Sequence, residues 1–324
     1  MLIVGAGLAG LMAARHAQAA GLSVTVLDKG RSAGGRLATR RIGDGKADHG
    51  AQFFTVRDGA FARFVADWQA RGLVDVWSRG WSDGSLFATR DDGFPRYSFR
   101  GGMNAMAADL AARLKDIRLN VTLQQISPIE GGWQLTDSTG AVFTARALVM
   151  TPPVPQSLTL LKAGQTALDP LDQAALDRIV YAPCLAGLIL LDRPAGLPEP
   201  GAVQRTDHWV PWIADNQAKG ISDAPVLTLH MDETYSRANY DAPEEKILAD
   251  LEPEWRAFTG DAQVIEAQVK RWRYSRPLAM HPQPTLLARS LPPLAFAGDA
   301  FSSPRVEGAA LSGIAAAEVL IPLL

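Results

Sequence analysis

The apolar and polar positions open with a strand, a turn, a helix and a second strand. Leu2-Ile3-Val4 is a continuous apolar run, as a parallel strand buried on both faces requires. Gly5-Ala6-Gly7-Leu8-Ala9-Gly10 breaks it, Leu11 to Ala20 has helical composition, and Gly21 ends the helix. Ser23 to Leu27 is β-rich again and ends in Asp28. Phe61 to Ala70 puts Phe61, Phe64, Val65 and Trp68 on one helical face, and Met103 to Leu114 spaces Met106, Leu110 and Leu114 four apart. Between these helices, Val74 to Tyr97 is rich in Trp and Gly and reads as strands and turns. Asn120 to Ile126 alternates as a strand, and Gly131-Gly132 marks a hairpin turn. Trp133 to Thr136, Val142 to Ala145 and Ala147 to Met150 are further strands, the last running into Thr151-Pro152-Pro153.

The later half alternates again. Leu171 to Ile179 reads as a helix, Cys184 to Leu191 and Val226 to Met231 as strands of one sheet, and Val264 to Trp272 as another strand. Pro243 to Thr259 is an amphipathic helix with Ile247, Leu251 and Trp255 four apart. Leu294 to Ala297 is a buried strand that ends in Gly298-Asp299 and leads to a last apolar helix opened by Gly308-Ala309-Ala310. The pattern predicts an α/β chain. A Rossmann-like nucleotide domain takes residues 1–54, 98–155 and 286–324. A discontinuous α+β substrate domain with a mixed sheet takes 55–97 and 156–285.

Composition removes several classes. A chain of 324 residues holds two cores, and a net charge of −2 gives no reason to expect nucleic acid or an anionic membrane as partner. The single cysteine, Cys184, excludes an intramolecular disulfide and a cysteine-rich metal site, and its apolar neighbours suit a structural buried thiol. The five histidines show no paired helical spacing for zinc, and neither a GxSxG elbow nor a Walker lysine motif is present. The N-terminus lacks a basic stretch and its apolar residues serve the first strand, so a cytoplasmic protein is expected. The apolar stretch Val306 to Leu324 contains Glu307 and Glu318 and is interrupted by Pro322, which suits a buried helix and is too short and broken for a membrane span.

The chemistry sits first in the opening turn. Gly5 permits the tight turn, Gly7 lets a pyrophosphate approach the backbone, and Gly10 lets helix and strand pack closely. The turn residues Leu8 and Ala9 and the N-terminus of the following helix offer N–H groups and a positive dipole end to phosphates, and Asp28 can accept ribose hydroxyls. Lys29 follows the acid, and the Gly34-Gly35-Arg36 turn carries a guanidinium toward the same phosphates.

With these pieces stand Asp48-His49-Gly50-Ala51-Gln52-Phe53-Phe54, Phe99-Arg100-Gly101-Gly102-Met103, Arg271-Trp272-Arg273-Tyr274-Ser275 and Gly298-Asp299. Together they make the chain resemble, over nearly its whole length, the two-domain FAD-dependent oxidoreductases of the flavin amine oxidase superfamily. Within that superfamily it is most similar to the renalase-like proteins. The resemblance implies FAD, with Leu123 offering backbone groups to adenine, Pro153 in a turn near the nucleotide, and Asp299 on the ribityl hydroxyls or pyrophosphate. A helix N-cap is the other reading of Asp299. Gly308 and Ala309 would set a helix start against the N1–O2 edge of the flavin. The segment holding Gly50, Ala51, Gln52 and Phe53 would pass the ring and offer backbone N–H groups. His49 is either a base there or a structural hydrogen-bonding residue. Covalent attachment would need a suitably placed cysteine or histidine, and Cys184 lies far in sequence from the expected flavin contacts, so the FAD is expected to be noncovalent.

Trp272 and Tyr274 stand two apart on a strand and so face one side, either the pocket or the core. Alternation places Arg271 and Arg273 opposite. His230, Tyr235 and His281 are weaker pocket candidates. The activity the resemblance implies is oxidation of 2- or 6-dihydro isomers of NAD(P) by O2, giving peroxide and NAD(P)+, in a monomer or weak homodimer. A small-amine oxidase of the same superfamily is the first rival. It would need an aromatic cage and a lysine-held water near the flavin, and Lys270 stands close to the aromatic run. A flavin-dependent isomerase or desaturase, and a protein that binds FAD but acts only through partners, are the others.

Overall fold

The computed structural model describes residues 1–85 and 91–324, so residues 86–90 of the expected strand-and-turn stretch lie outside the described residues. The chain forms two compact units. The first comprises Met1–Gly35, Met106–Tyr181 and Arg276–Leu324; the second comprises Arg36–Ala105 and Ala182–Ser275. Residues 36–54 and 98–105 therefore fall in the second unit, and 156–181 and 276–285 in the first.

The first unit is built on a six-stranded mixed sheet. Its order is Leu286–Leu287, Leu294–Phe296, Leu148–Met150, Leu2–Val4, Thr25–Leu27, Ile117–Arg118. Every neighbour pair is parallel except the antiparallel edge Leu286–Leu287. Leu2 faces Leu148 on one side and Thr25 on the other in register, and all three residues of the first strand are buried. Continuous apolar runs are what such a doubly covered sheet selects. A three-stranded antiparallel sheet, Leu123–Ile129, Gly132–Asp137 and Val142–Ala145, forms around the expected glycine hairpin.

The first helix spans Leu8–Ala19, three residues earlier than its composition suggested, because the glycine turn is itself the helix start. The last helix spans Val306–Leu320, and by length and composition Val306–Leu323 meets what a membrane span needs, which the sequence reading did not grant it. Here it packs along Leu8–Ala19 and buries Gly308, Ala310, Ser312, Gly313, Ala316, Ala317 and Leu320. Small residues allow that close approach. The helix Val154–Ala163 was not expected from the sequence. Pro153 and Pro155 disguise it, although proline is tolerated in a first helical turn, where the missing N–H has no intrahelical acceptor.

The second unit contains the hairpin Thr39–Ile42 with Gly45–Asp48, the helix Gly59–Ala70, and the hairpin Val74–Ser78 with Arg96–Phe99. Its five-stranded sheet has the order Ala202–Gln204, Trp212–Asp215, Val226–His230, Val180–Leu191, Val264–Ala279. The strands expected at 184–191 and 226–231 pair antiparallel, with Leu188 opposite Thr228. The helix Glu244–Thr259 covers this sheet, burying Ile247, Leu251 and Trp255 against Leu185, Ile189, Leu227 and Leu229. The last strand runs to Ala279, well past the expected Trp272.

Candidate active site

In the first unit the glycine turn is a nucleotide cradle whose glycines answer to different demands. Gly5 has φ +101°, and a Cβ there would lie 2.4 Å from the Thr151 hydroxyl oxygen, which donates to the Val4 carbonyl at 2.7 Å. A Cβ on Gly10 would stand 1.9 Å from the Gly5 carbonyl oxygen, so helix and strand meet backbone to backbone. Gly7 is the exception. Its φ of −73° suits any residue, and a Cβ there meets no protein atom within 4 Å. The open space before the helix start is the room a pyrophosphate needs. The first intrahelical bond is Leu11 N–H to the Gly7 carbonyl at 3.0 Å, so the amides of Leu8, Ala9 and Gly10 lie ahead of it and project from the helix start.

Asp28 does more than await a ribose. Its Oδ2 accepts from Ala6 N–H and its Oδ1 from Gly30 N–H, each at 2.6 Å, which fastens the turn to the end of the second strand. Each carboxylate oxygen keeps a further lone pair for a ribose hydroxyl. Lys29 is exposed. Gly34 N–H donates to the Ala6 carbonyl at 2.9 Å, and the Gly35 Cβ position lies 3.5 Å from Gly7 Cα, so this turn lies along the cradle. On the expected adenine side, Val121 N–H donates to the Asp28 carbonyl and Asn120 N–H to the Gly30 carbonyl, whereas Leu123 pairs with Asp137 in the three-stranded sheet. Pro153 is the N-cap position of Val154–Ala163.

The C-terminal motif needs two corrections. The helix starts at Val306 after Arg305, so Asp299 is not its N-cap and Gly308 does not open it. Ala309 N–H is already spent on the Arg305 carbonyl at 2.9 Å, so only the amides ahead of it are available to a ligand. Gly308 is there for packing, since a Cβ would lie 2.3 Å from the Ser303 carbonyl oxygen. Gly298 donates its N–H to Ser312 Oγ at 2.8 Å.

In the second unit the segment after the hairpin is held by Asp48. Its side chain is wholly buried. Oδ2 meets Lys219 Nζ at 2.6 Å, and Oδ1 accepts from Met103 N–H at 2.9 Å and from the Thr39 hydroxyl. Lys219, equally buried, also donates to the Gln52 carbonyl and lies 4.8 Å from the Trp77 ring centroid. One ammonium therefore ties both ends of the Asp48–Gln52 turn. Burial pulls the Lys219 pKa down, and Asp48 opposes that pull. Trp77, Trp81, Trp212 and Phe53 pack into one aromatic cluster, with Trp81 and Trp212 edge to face at 4.9 Å. Asp48's role, Lys219 and the three tryptophans were missed in the sequence, where nothing local links positions 171 residues apart.

The expected site residues divide. His49, Gln52 and Trp272 come together: the His49 and Trp272 rings stack at 5.1 Å, and Trp272 Nε1 donates to the His49 carbonyl at 2.8 Å. Gln52 Nε2 donates to the Asp48 carbonyl at 2.7 Å and lies 3.5 Å from His230 Nε2, which brings His230 into the group. Tyr274 lies on the same half-buried strand face as Trp272, and Arg271 and Arg273 are exposed on the other, as alternation required. Tyr235 bonds Asp250, and the His281 ring packs at a tilt against Phe301 in the first unit, so neither joins the group. Cys184 is half-buried.

Two further expectations are corrected. Arg36 Nη1 donates to the carbonyls of Tyr274 and Ser275 at 3.1 and 3.2 Å, so part of the guanidinium serves the second unit's own backbone rather than a phosphate. Ala51 N–H donates to the Arg36 carbonyl at 2.9 Å and is not available to a flavin ring. Gly50 makes this contact possible, since its Cβ would stand 2.0 Å from that carbonyl oxygen. The amides of Gln52 and Phe53 have no partner among the described residues.

The group is electrically quiet. Burial, helped by Lys270, His230 and Arg40, pushes the His49 pKa down to about 4. Burial also takes His230 to about 4; Lys219 adds to the depression and the His49 backbone opposes it. Both rings are neutral near pH 7.

Two family models cover the chain. Residues 3–68 match the NAD(P)-binding Rossmann-like domain, and residues 70–321, more than three quarters of the chain, match the flavin containing amine oxidoreductase family. The chain belongs to the flavin-containing amine oxidoreductases. Among solved structures, a protein described as a protoporphyrinogen oxidase from Exiguobacterium sp. 255-15 superposes with a TM-score of 0.77 at 14% identity, covering 100% of this chain and 98% of its own. A putrescine oxidase bound to putrescine gives 0.74 at 14% identity (99% and 98% covered). A CLA-producing fatty acid isomerase from P. acnes gives 0.69 at 13% (100% and 98%). At such identities the likeness establishes the fold.

As a member of this family the enzyme is an FAD-dependent oxidoreductase. The cradle fits the cofactor on its own evidence: glycine at position 7 answers no demand of the protein, and the helix start faces an opening.

Proposed function

We propose that the enzyme is an oxidase of the renalase type, acting on 2- or 6-dihydro isomers of NAD(P), with O2 and a proton consumed and peroxide and NAD(P)+ released. Gly5, Gly7, Leu8, Ala9, Gly10, Asp28, Lys29, Gly35, Arg36, Leu123, Pro153, Gly298 and Asp299 would hold noncovalent FAD, with Gln52 and Phe53 offering backbone N–H groups to its ring. The FAD-binding domain is then 1–54, 98–155 and 286–324, and the substrate domain is the remainder. Bound FAD would supply a two-electron acceptor that takes a hydride at N5 and is reoxidised by O2.

The observation that carries the reading is the state of the buried ionisable groups. Lys219 is the buried lysine of the aromatic cluster, and its ammonium is committed to Asp48 and to the Gln52 carbonyl. Two of its three N–H donors are thereby held by the protein's own acceptors. His49 and His230 are held neutral by burial. A dihydropyridine suits such surroundings, because losing a hydride makes it aromatic without a base. The chain's own residues then have two tasks: Trp272 and His49 present flat stacking surface, and the Asp48–Lys219 pair holds the segment that carries His49 and Gln52.

One observation favours the amine oxidase reading. Lys270 shares the half-buried strand face of Trp272, and its pKa is lowered by burial and by Arg40. A lysine so placed would suit the water-holding role. Anaerobic stopped-flow flavin reduction separates the two. The isomers should reduce the flavin far faster than NADH or putrescine. Rapid bleaching by simple amines, with the isomers inert, would replace the first reading by the second.

A further inference from the structure

We infer that Gln52 Oε1 and His49 Nδ1 form a subsite for a primary carboxamide. This inference rests on the dihydronicotinamide reading and specifies how the ring would be recognised. Both atoms are buried, and among the described residues neither has a hydrogen-bond partner. They belong to one group: His49 stacks on Trp272, Trp272 holds the His49 carbonyl, and Gln52 lies against His230.

The orientation of Gln52 is determined by its surroundings. Its amide lies against two carbonyl oxygens, of Asp48 at 2.7 Å and of Gly50 at 3.2 Å. Carbonyl oxygens only accept, so the NH2 end must face them. Oε1 is therefore left as a buried acceptor that requires an N–H donor. His49 complements it. A neutral imidazole carries one N–H, and with the proton on Nδ1 it is a buried donor that requires an acceptor. A primary carboxamide has both halves, an NH2 for Gln52 Oε1 and a carbonyl for His49 Nδ1. A simple amine offers no acceptor for His49, and a carboxylate would set an oxygen against Gln52 Oε1. Buried polar groups left unpaired penalise the wrong ligand more than pairing rewards the right one.

The test uses the FAD-loaded full chain and two measurements. Titration of the flavin spectrum compares NAD+ with its 3-acetylpyridine analogue, which replaces the amide NH2 by methyl, and with the nicotinic acid dinucleotide. NAD+ should bind on the order of tenfold to a hundredfold more tightly than either. Gln52→Leu should bring the NAD+ to acetylpyridine ratio close to one while FAD content is unchanged. His49→Phe, which keeps a ring on Trp272, should weaken both ligands equally, because both keep the carbonyl. Equal binding of NAD+ and the acetylpyridine analogue by the unaltered enzyme overturns the subsite. So does a ratio that survives Gln52→Leu, or a Gln52→Leu variant whose only change is weaker FAD retention, which would assign Oε1 to the flavin. If Gln52→Leu does not fold, the comparison of ligands on the unaltered enzyme still decides. The second measurement is anaerobic flavin reduction by the 6-dihydro isomer of NAD and its acetylpyridine counterpart. Reduction by both at equal rates and affinities rejects the carboxamide subsite and leaves the dihydropyridine reading standing. No reduction by either rejects that reading itself.

Discussion

Replacing Lys219 by methionine removes one charge from a wholly buried pair and leaves the other. Met has nearly the length of Lys, so the void is small and the penalty is electrostatic. Asp48 would keep its bonds from the Thr39 hydroxyl and Met103 N–H but lose the ammonium at 2.6 Å, and the Gln52 carbonyl would lose its donor. Breaking one side of a buried pair costs about 3–5 kcal/mol. At about 2–4 °C per kcal/mol for a unit of the size of the second one, the melting temperature should fall by roughly 6–20 °C. The paired change Asp48→Asn with Lys219→Met removes both charges and still leaves an acceptor for Met103 N–H, so it should recover a good part of the loss. Urea unfolding of the three variants beside the unaltered enzyme, all FAD-saturated, gives the midpoints and slopes. A Lys219→Met variant within about 1 kcal/mol of the parent would refute the reasoning, because an unpaired buried carboxylate cannot be that cheap. So would a double variant less stable than Lys219→Met alone.

Gly7→Val should fold with unaltered circular dichroism yet purify colourless, because the added side chain meets only the open cradle; a yellow variant of parental FAD affinity would place the pyrophosphate elsewhere. Acid precipitation should leave all the flavin in the supernatant, and flavin retained in the pellet would mean a covalent bond. Stability should also fall on acidification: His49 and His230 bind protons less readily folded, near pH 4, than unfolded, near 6.5, so between those values the unfolded chain holds more protons. Each ring is worth up to roughly 3 kcal/mol over that window, and His230→Gln should flatten the urea-midpoint profile between pH 6.5 and 4; an unchanged slope would mean that His230 is not held neutral.

Local patterns carried much of this protein in its sequence. The strand, glycine turn, helix and acid at 1–28 are legible because each residue answers to backbone geometry within a few positions, and the glycines behave accordingly: Gly5 by its φ, Gly10 by contact, Gly7 by the space before it. Alternation likewise separated Trp272 and Tyr274 from Arg271 and Arg273, since a strand's period is two wherever it lies. What failed was what depends on partners. The helix Val154–Ala163 hid behind its prolines, and the last helix starts two residues before its glycine because Gly308 is needed against Ser303, not as a cap. Arg36 and Ala51 have the right chemistry for a cofactor, yet carbonyls brought to them by folding take part of the guanidinium and the amide N–H. Lys219 opposite Asp48, the tryptophans at 77, 81 and 212, and the Gln52 and His49 atoms without a partner among the described residues are brought together only in three dimensions. Hydrophobic period and turn chemistry are properties of neighbours in sequence, so the chain alone determines them. Which buried donor finds an acceptor, and which is left for a ligand, is decided only when distant segments pack and exclude water.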